Sequence, residues 1–192
     1  MPSPNAAALD FLLTRRSRPH KTLTTPVPDR ADLTALLTAA ARTPDHGKLE
    51  PWRFIVLERA ALQRLAAAIP ARAAALGIAP DKIDKAKAQF GDAHLAVAVI
   101  ASPKDSDKVP QIEQLYSAGA VCLALLNAAL AAGWGANWLS GWASHDPTFV
   151  QEQLGLAVHE KVAGFIHIGT ETQTPPDRPR PDLAAITTWA AQ

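Results

Sequence analysis

The residues best suited to chemistry lie near the N-terminus, where the sequence reads Arg15-Arg16-Ser17-Arg18. Three guanidinium groups and a serine hydroxyl within four residues match the oxygens of a phosphate group. Cations near the end of a helix also interact favourably with the helix dipole. The cluster therefore has two interpretations: an anion clamp, or the solvated basic end of a helix.

A second polar group lies in the stretch from Ala41 to Leu57. Arg42 and His46 stand between an apolar helical pattern and a strand-like sequence, and Pro44 prevents the helix from continuing. Charged residues on a loop that two rigid elements position often bind ligands. An ordinary surface turn is the alternative interpretation.

A third group is the segment from Asn137 to Trp142, which alternates polar and aromatic residues after a very apolar helical pattern. We predict an amphipathic strand or a ligand loop here. Basic clamps, aromatic walls and glycine-rich loops are together what flavin mononucleotide (FMN) requires. The three groups therefore favour a flavin site.

Other chemistries have weaker support in the sequence. Gly133-Trp134-Gly135 follows a helical pattern and not a strand, so a dinucleotide-binding interpretation lacks its structural context. The six histidines show no metal-ligand spacing, and we expect no metal. A hydrolase based on Ser140 or Ser144 would need the adjacent His145 and Asp146, and neighbours in sequence cannot form a triad.

Composition predicts a folded globular protein, since 48% of the 192 residues are hydrophobic and 19% are charged. We predict one domain over residues 1–192. The net charge of +1 gives no reason to expect nucleic acid as a partner. A single cysteine, Cys122, fits a reducing cytoplasm. We expect no membrane partner, because the apolar segment Ala118 to Gly133 is shorter than a membrane span. We also expect no signal peptide at the N-terminus.

Hydrophobic spacing predicts helices over residues 6–16, 28–42, 59–76, 81–89, 109–132 and 148–154. It predicts strands over residues 53–57, 94–101 and 162–170, of which the second is a continuous apolar run typical of burial on both faces. Residues 21–27 are predicted as a loop. Residues 171–192 begin with a proline-rich segment and are predicted as an extended arm. Its apolar residues Leu183, Ile186 and Trp189 have helical spacing, so we expect the arm to dock on another surface.

The long helix from about Val109 to Ala132 is apolar all round between Ala118 and Gly133. Such a helix must be covered on every side. In a domain of this size a second subunit provides that cover most easily, so we expect a homodimer.

Five groups of residues occur in the order in which one known family has them. They are Arg15-Arg16-Ser17; Arg42-x-Pro-Asp-His46 with Pro51-Trp52; Lys108-Val109-Pro110 with Glu113-Gln114 and Ser117-Ala118-Gly119; Trp138-x-Ser140-Gly141; and Gly164-Phe165-x-x-x-Gly169-Thr170. Over about residues 8–170 this ordered set resembles the nitroreductase family of FMN-dependent oxidoreductases, in particular its short, single-domain branch.

The resemblance implies an α+β fold with a central, mainly antiparallel sheet flanked by helices. It implies an intertwined homodimer with the long helices at the interface and FMN bound between the subunits. It also implies the cofactor-binding residues: Arg15, Arg16 and Ser17 at the phosphate, ribityl chain and pyrimidine edge; Arg42 and His46 from the partner chain; Trp138, Leu139 and Ser140 along the ring.

The activity implied is a ping-pong cycle in which NADH or NADPH delivers hydride to flavin N5 and a nitroaromatic, quinone or similar oxidised substrate then receives it. The flavin carries this chemistry, so no catalytic side chain is assigned. A flavin-binding or flavin-storage protein with little turnover is the alternative.

Two residues depart from the pattern of the branch. Leu139 stands where an arginine is usual, and Glu50 stands where a glutamine is usual. Arg178 or Arg180 on the arm is a substitute source for the missing positive charge. Glu50 near a flavin would disfavour its anionic reduced form.

Overall fold

The computed structural model describes residues 3–191, so Met1, Pro2 and Gln192 of the predicted domain and arm lie outside the described residues. The helices are α1 (Ala6–Thr14), α2 (Arg30–Ala40), α3 (Arg59–Leu76), α4 (Pro80–Gly91), α5 (Gln111–Ala131), α6 (Trp142–His145), α7 (Pro147–Leu154) and α8 (Leu183–Ile186). The strands are β1 (Leu23–Thr24), β2 (Trp52–Glu58), β3 (Leu95–Ala101), β4 (Gly135–Leu139) and β5 (Lys161–Glu171).

The long strand β5 organises the sheet. The strand order is β1-β5-β3-β2, and β4 pairs with β5 as well. Every one of these pairings is antiparallel. This arrangement confirms the predicted α+β fold with a mainly antiparallel sheet between helices.

Strand β3 separates the two halves of the core, because its side chains alternate between the two faces of the sheet. One face packs against α3, α4 and α7 and the other against α2 and α5. The first face receives Ala96, Ala98 and Ile100, and the second receives Leu95, Val97 and Val99. All seven residues of β3 are buried, which confirms the prediction of a strand covered on both faces.

Two differences from the predicted elements are local to the N-terminal segment. Helix α1 ends at Thr14, two residues before its predicted end, and Arg15 adopts extended backbone. Leu23 and Thr24, predicted within a loop, form a short strand against the end of β5. Both differences arise from pairing with distant parts of the chain, which local periodicity does not record.

Helix α5 is the one helix within residues 3–191 that is long and apolar enough to cross a membrane by length and composition. Its inward side, including Val121, Cys122 and Leu125, is buried against the sheet. Its outward side leaves Tyr116 and Leu123 exposed in the single chain. That a second subunit covers this side stays a prediction.

Candidate functional site

A cavity of about 460 Å³ opens where the end of α1 meets β4 and the C-terminal arm. We call it the arginine cavity. It is lined by Arg15, Arg16, Ser17, Pro19, His20, Asn137, Pro175, Arg178 and Arg180. The structure thus brings the predicted residues Arg15, Arg16 and Ser17 together at one cavity.

Hydrogen bonds to β4 fix the basic segment that forms one wall of this cavity. The backbone N–H of Arg18 donates to the carbonyl oxygen of Ala136 at 2.8 Å, and the Asn137 side-chain amide donates to the carbonyl oxygen of Arg18 at 2.6 Å. The Arg15 guanidinium donates to the Ser17 hydroxyl at 2.9 Å. The segment is therefore held in a defined path and is not a solvated helix end.

The proline-rich arm contributes Pro175, Arg178 and Arg180 to the lining of the cavity, and Asp177 bonds it to the basic segment. The Asp177 carboxylate accepts hydrogen bonds from Arg16 at 3.1 Å and from Arg180 at 2.8 Å. A backbone N–H bond from Arg178, followed by the bond from Arg16, lowers the pKa of Asp177, so the group stays a carboxylate. The bond between Asp177 and Arg16 holds the arm in the position in which Arg178 and Arg180 line the cavity.

The cavity has more positive charge than its own carboxylate balances. Burial lowers the pKa of Arg15, and the neighbouring guanidiniums of Arg180, Arg16 and Arg18 lower it further. The Nε atom of Arg15 is buried and has no hydrogen-bond partner within residues 3–191. A buried donor without a partner costs about 1–3 kcal/mol. An oxyanion with several acceptor oxygens removes both the repulsion and that cost, so the residues fit a phosphate group.

Two of the three predicted ring-binding residues, Trp138 and Leu139, belong to β4, and none of the three lines the arginine cavity. Trp138 and Leu139 pair with Ile166 and Phe165 of β5. Because neighbouring residues of a strand point to opposite faces, the side chain of Trp138 lies on the face opposite Asn137. Ser140 follows the strand and is exposed. Within one chain, Trp138 therefore presents only its backbone to the side of β4 on which Asn137 lines the arginine cavity.

The indole of Trp138 lies directly on the backbone of β5. A Cβ atom added at Gly164 would come within 2.0 Å of Trp138 Nε1, so only glycine permits this approach. The indole keeps 38% of its surface exposed. It thus offers a flat apolar surface in a fixed position.

Arg42 and His46 lie elsewhere in the single chain and do not line the arginine cavity. Arg42 is exposed after α2, and His46 Nδ1 lies 2.7 Å from Glu113 Oε2 on α5. The Ser117 hydroxyl of the same helix donates to the carbonyl oxygen of Pro44 at 3.0 Å. We call residues 42–50 the polar turn, which α5 holds in place.

The polar turn carries backbone strain. Lys48 and Glu50 adopt positive φ values of 55° and 47°, beside Gly47 at 75°. Positive φ is unusual for residues with a side chain. The Asp45 carboxylate stabilises this path by accepting from the backbone N–H of Leu49 at 2.5 Å.

The sequence did not single out Asn137 or His20, although both line the arginine cavity. Their place depends on the bonds between β4 and the basic segment, for which the sequence offers no local signal. The hydrolase alternative has no free acid, because the Asp146 carboxylate accepts two hydrogen bonds from Arg72 at 2.7 Å and one from the backbone N–H of Phe149 at 2.8 Å. Within residues 3–191 no three His, Cys, Asp or Glu residues form a group able to hold a metal ion.

Comparison with known proteins gives concordant matches. A sequence model described as "Nitroreductase family" matches residues 12–170. The protein named "Putative NAD(P)H nitroreductase YdjA" from Escherichia coli (strain K12) is 37% identical over 163 residues, which cover 85% of this chain and 87% of that protein.

Solved structures agree in fold. A nitroreductase-like family protein from Bacillus cereus superposes with a TM-score of 0.80 at 21% identity, covering 100% of both chains. A "putative nitroreductase in complex with FMN" from Desulfovibrio desulfuricans superposes with a TM-score of 0.74 at 20% identity, covering 98% of both chains.

Proposed function

This chain belongs to the nitroreductase family, and from that premise we propose that it is an FMN-dependent NAD(P)H oxidoreductase. The observation that carries the proposal is the arginine cavity, with the buried and unpartnered Nε of Arg15. The relative from Escherichia coli named as an NAD(P)H nitroreductase and the FMN complex of similar fold support the same cofactors.

The phosphate of FMN would bind in the arginine cavity. Arg15, Arg16 and Ser17 would hold it from the N-terminal side, in hydrogen bonds strengthened by charge. Arg178 and Arg180 would approach from the arm, where they supply the positive charge that Leu139 does not. In this proposal residues 171–192 are an arm of a single domain, and the arm has a binding role.

The flavin ring would extend from this cavity along β4. Trp138, Leu139 and Ser140 would line it, with Trp138 contributing its backbone. Flat apolar neighbours and a few backbone hydrogen bonds are the usual requirements of such a ring.

Arg42 and His46 would complete the site from the partner subunit of a homodimer. Two observations support this arrangement: neither residue lines the arginine cavity of its own chain, and α5, which anchors the polar turn, exposes apolar side chains on its outward side. Glu50 would add negative charge near the ring and so influence its reduction potential.

When bound, FMN supplies the transfer of hydride from NADH or NADPH to an oxidised substrate, such as a nitroaromatic or a quinone, in a ping-pong cycle. The protein binds and orients the reactants, and we assign no side chain as an acid or base. Cys122 takes no part, because burial raises the pKa of its thiol to about 12. We place the enzyme in the cytoplasm, where such a thiol stays reduced.

The test is the visible spectrum of the purified protein. We expect a yellow dimer with bound FMN that bleaches when NADPH or NADH is added without oxygen and recovers its colour when a quinone follows. A colourless protein that does not bind added FMN would contradict the proposal. Bound FMN that is reduced only over hours would indicate flavin storage instead, and stopped-flow measurement of the reduction rate distinguishes the two.

A further inference from the structure

Three histidines lie behind the arginine cavity. His20, in the short 3-10 turn after the basic segment, lines the arginine cavity and also a second cavity of about 10 Å³, which we call the inner cavity. The second cavity is lined by His94 and His167 as well. The ring of His20 therefore lies between the arginine cavity and the inner cavity.

The inner cavity contains polar atoms that have no partner. His167 is 1% exposed, and neither of its ring nitrogens has a hydrogen-bond partner within residues 3–191. The buried Nε2 of His20 has none either, and the two rings lie 6.0 Å apart between centroids. A cavity of about 10–15 Å³ with polar walls is large enough for one water molecule. Such a water would bridge the two rings and hold His20 in the cavity wall.

We propose that His20 is a further anion-binding residue of the arginine cavity, and that it takes up a proton when a phosphate monoester binds there. The identification of that ligand as FMN rests on the proposed function. The anion itself is defined by the cavity, whose cationic side chains are Arg15, Arg16, Arg178 and Arg180.

The charges around His20 explain why the proton accompanies the anion. Burial lowers its pKa, Lys21 lowers it further, and Asp92 opposes them. His94 lines the same inner cavity, and His167 adds no charge, because its own pKa is lowered to about 3 by burial and then by His20. Burial and Lys21 thus favour the neutral form of His20 while the cavity holds no anion. A dianion in the cavity reverses the balance, since an opposite charge within a few ångströms favours the charged form.

The linkage has a definite sign. If binding raises the pKa of His20, the anion must bind more tightly at a pH at which His20 is protonated in the complex. Affinity should therefore fall as the pH rises through the pKa of His20 in the complex. An arginine cavity alone has no such dependence in the neutral range, because guanidinium groups stay charged there.

The test compares FMN dissociation constants, measured by flavin fluorescence, between about pH 6 and pH 8.5 for the wild type, His20→Asn and His159→Asn. The ratio of wild type to His20→Asn removes the titration of the phosphate itself. We expect the wild-type constant to rise about tenfold more than that of His20→Asn over this range, the change that one pKa unit produces. His159 is an exposed histidine outside the cavity, and its variant should follow the wild type. Parallel profiles for wild type and His20→Asn would overturn the proposal.

A second measurement uses the wild type alone and does not depend on FMN. The ring of His20 is titrated by NMR with and without inorganic sulfate, which remains a dianion across the range. A higher His20 pKa with sulfate supports the proposal, and an unchanged one overturns it. Failure of FMN to bind while sulfate still raises this pKa would contradict the proposed function and leave the role of His20 intact.

Discussion

The arginine cavity and the polar turn are the two most highly charged candidate regions, and they are built in opposite ways. The cavity closes within one chain, where Asp177 of the arm bonds Arg16, 161 residues earlier in the sequence. The polar turn lies against α5 of its own chain, through the hydrogen bond from Ser117 to Pro44 and the contact of His46 with Glu113. Its tip, with Arg42 and His46, is exposed.

The difference indicates where each region finds its ligand. The cavity has surplus cations inside and a buried donor without a partner, so it is ready to receive an anion from solvent. The polar turn instead stores strain at Lys48 and Glu50, and its Arg42 and His46 do not line the arginine cavity. Strained backbone is maintained where surrounding structure requires it. We therefore infer that a single chain supplies the phosphate half of the site and that the turn serves the second subunit.

The largest effect expected is on the cavity. Replacing Arg15 by alanine removes the guanidinium whose Nε has no partner, and a charged hydrogen bond to phosphate contributes about 1.5–3 kcal/mol. Arg15→Ala should therefore weaken FMN binding about 100-fold, as measured by fluorescence titration of the apoprotein.

Two controls make this result specific. Riboflavin lacks the phosphate, so its affinity should fall far less than that of FMN in Arg15→Ala. Arg64→Ala removes an arginine of α3 that bonds Gln153 instead, and should bind FMN like the wild type. If Arg15→Ala kept wild-type affinity for FMN, the cavity would not be the phosphate site.

The second prediction concerns the polar turn. The double variant Arg42→Ala, His46→Ala should fold normally and bind FMN about 30-fold more weakly, because it loses two polar contacts of about 1 kcal/mol each. Circular dichroism and the same titration measure the two properties. FMN binding at wild-type affinity would make the turn an ordinary surface feature.

Mixed dimers test whether the two regions belong to one site across subunits. In a dimer of one Arg15→Ala chain and one Arg42→Ala, His46→Ala chain, shared sites leave one site with both defects and one site intact. We expect tight binding of about one FMN per mixed dimer, a half-recovery that neither parent homodimer shows. Sites contained within single chains would give no such recovery.

The third prediction concerns the packing of the Trp138 indole on Gly164. Gly164→Ala places a Cβ atom 2.0 Å from the indole of Trp138, which must move. Overpacking of this kind costs about 1–3 kcal/mol, and we expect urea denaturation to show a loss in that range. FMN affinity should change little, because the indole lies on the face of β4 opposite the arginine cavity.

Gly91→Ala is the matched control for this prediction. An added Cβ at Gly91 meets only Ala66 at 3.5 Å, an ordinary contact. Its stability and FMN affinity should therefore be those of the wild type or slightly better, since alanine is favoured over glycine in a helix. A loss of stability as large as that of Gly164→Ala would show that the effect is not specific to Trp138.

The sequence predicted the parts of the molecule that local patterns determine. Helix α3 has the predicted bounds, Arg59–Leu76, and β3 follows from a continuous apolar run. The closing of the arginine cavity was less predictable, because it needs Asp177 to meet Arg16 across almost the whole chain. Proline-rich composition predicted an extended arm but gave no direction for it.

The same distinction applies to individual residues of the site. Arg178 and Arg180 were named as substitutes only because Leu139 leaves a charge missing, and both line the cavity. Asn137 was named only as the first residue of a predicted strand or ligand loop, and His20 was not named, since an asparagine beside a tryptophan and a histidine after a proline have no specific pattern. Their positions are set by bonds between β4 and the basic segment.

The smallest change in FMN affinity is expected when an ion pair outside both regions, between Arg53 and Glu160, is broken. Glu160 accepts two hydrogen bonds of 2.7 Å from Arg53, which lower its pKa from 4.5 to about 2. A carboxyl whose pKa is lower in the folded protein stabilises the fold at pH above its ordinary pKa, and that stability is lost as the pH falls through the folded value. The wild type should thus lose stability between about pH 4.5 and pH 2.

Glu160→Gln should lose about 2–3 kcal/mol of unfolding free energy at pH 7, because it leaves the Arg53 guanidinium without its anion, and should lack the acid-dependent loss. The exposed Glu152→Gln is its control. In all three proteins FMN affinity should be equal at pH 7, since this pair touches neither the arginine cavity nor the polar turn. A weaker affinity in Glu160→Gln alone would mean that a loss of stability at this ion pair changes the FMN site. The variants of the cavity and the turn would then be compared with proteins of equal stability. Only an effect that remained in that comparison would be assigned to a contact with FMN.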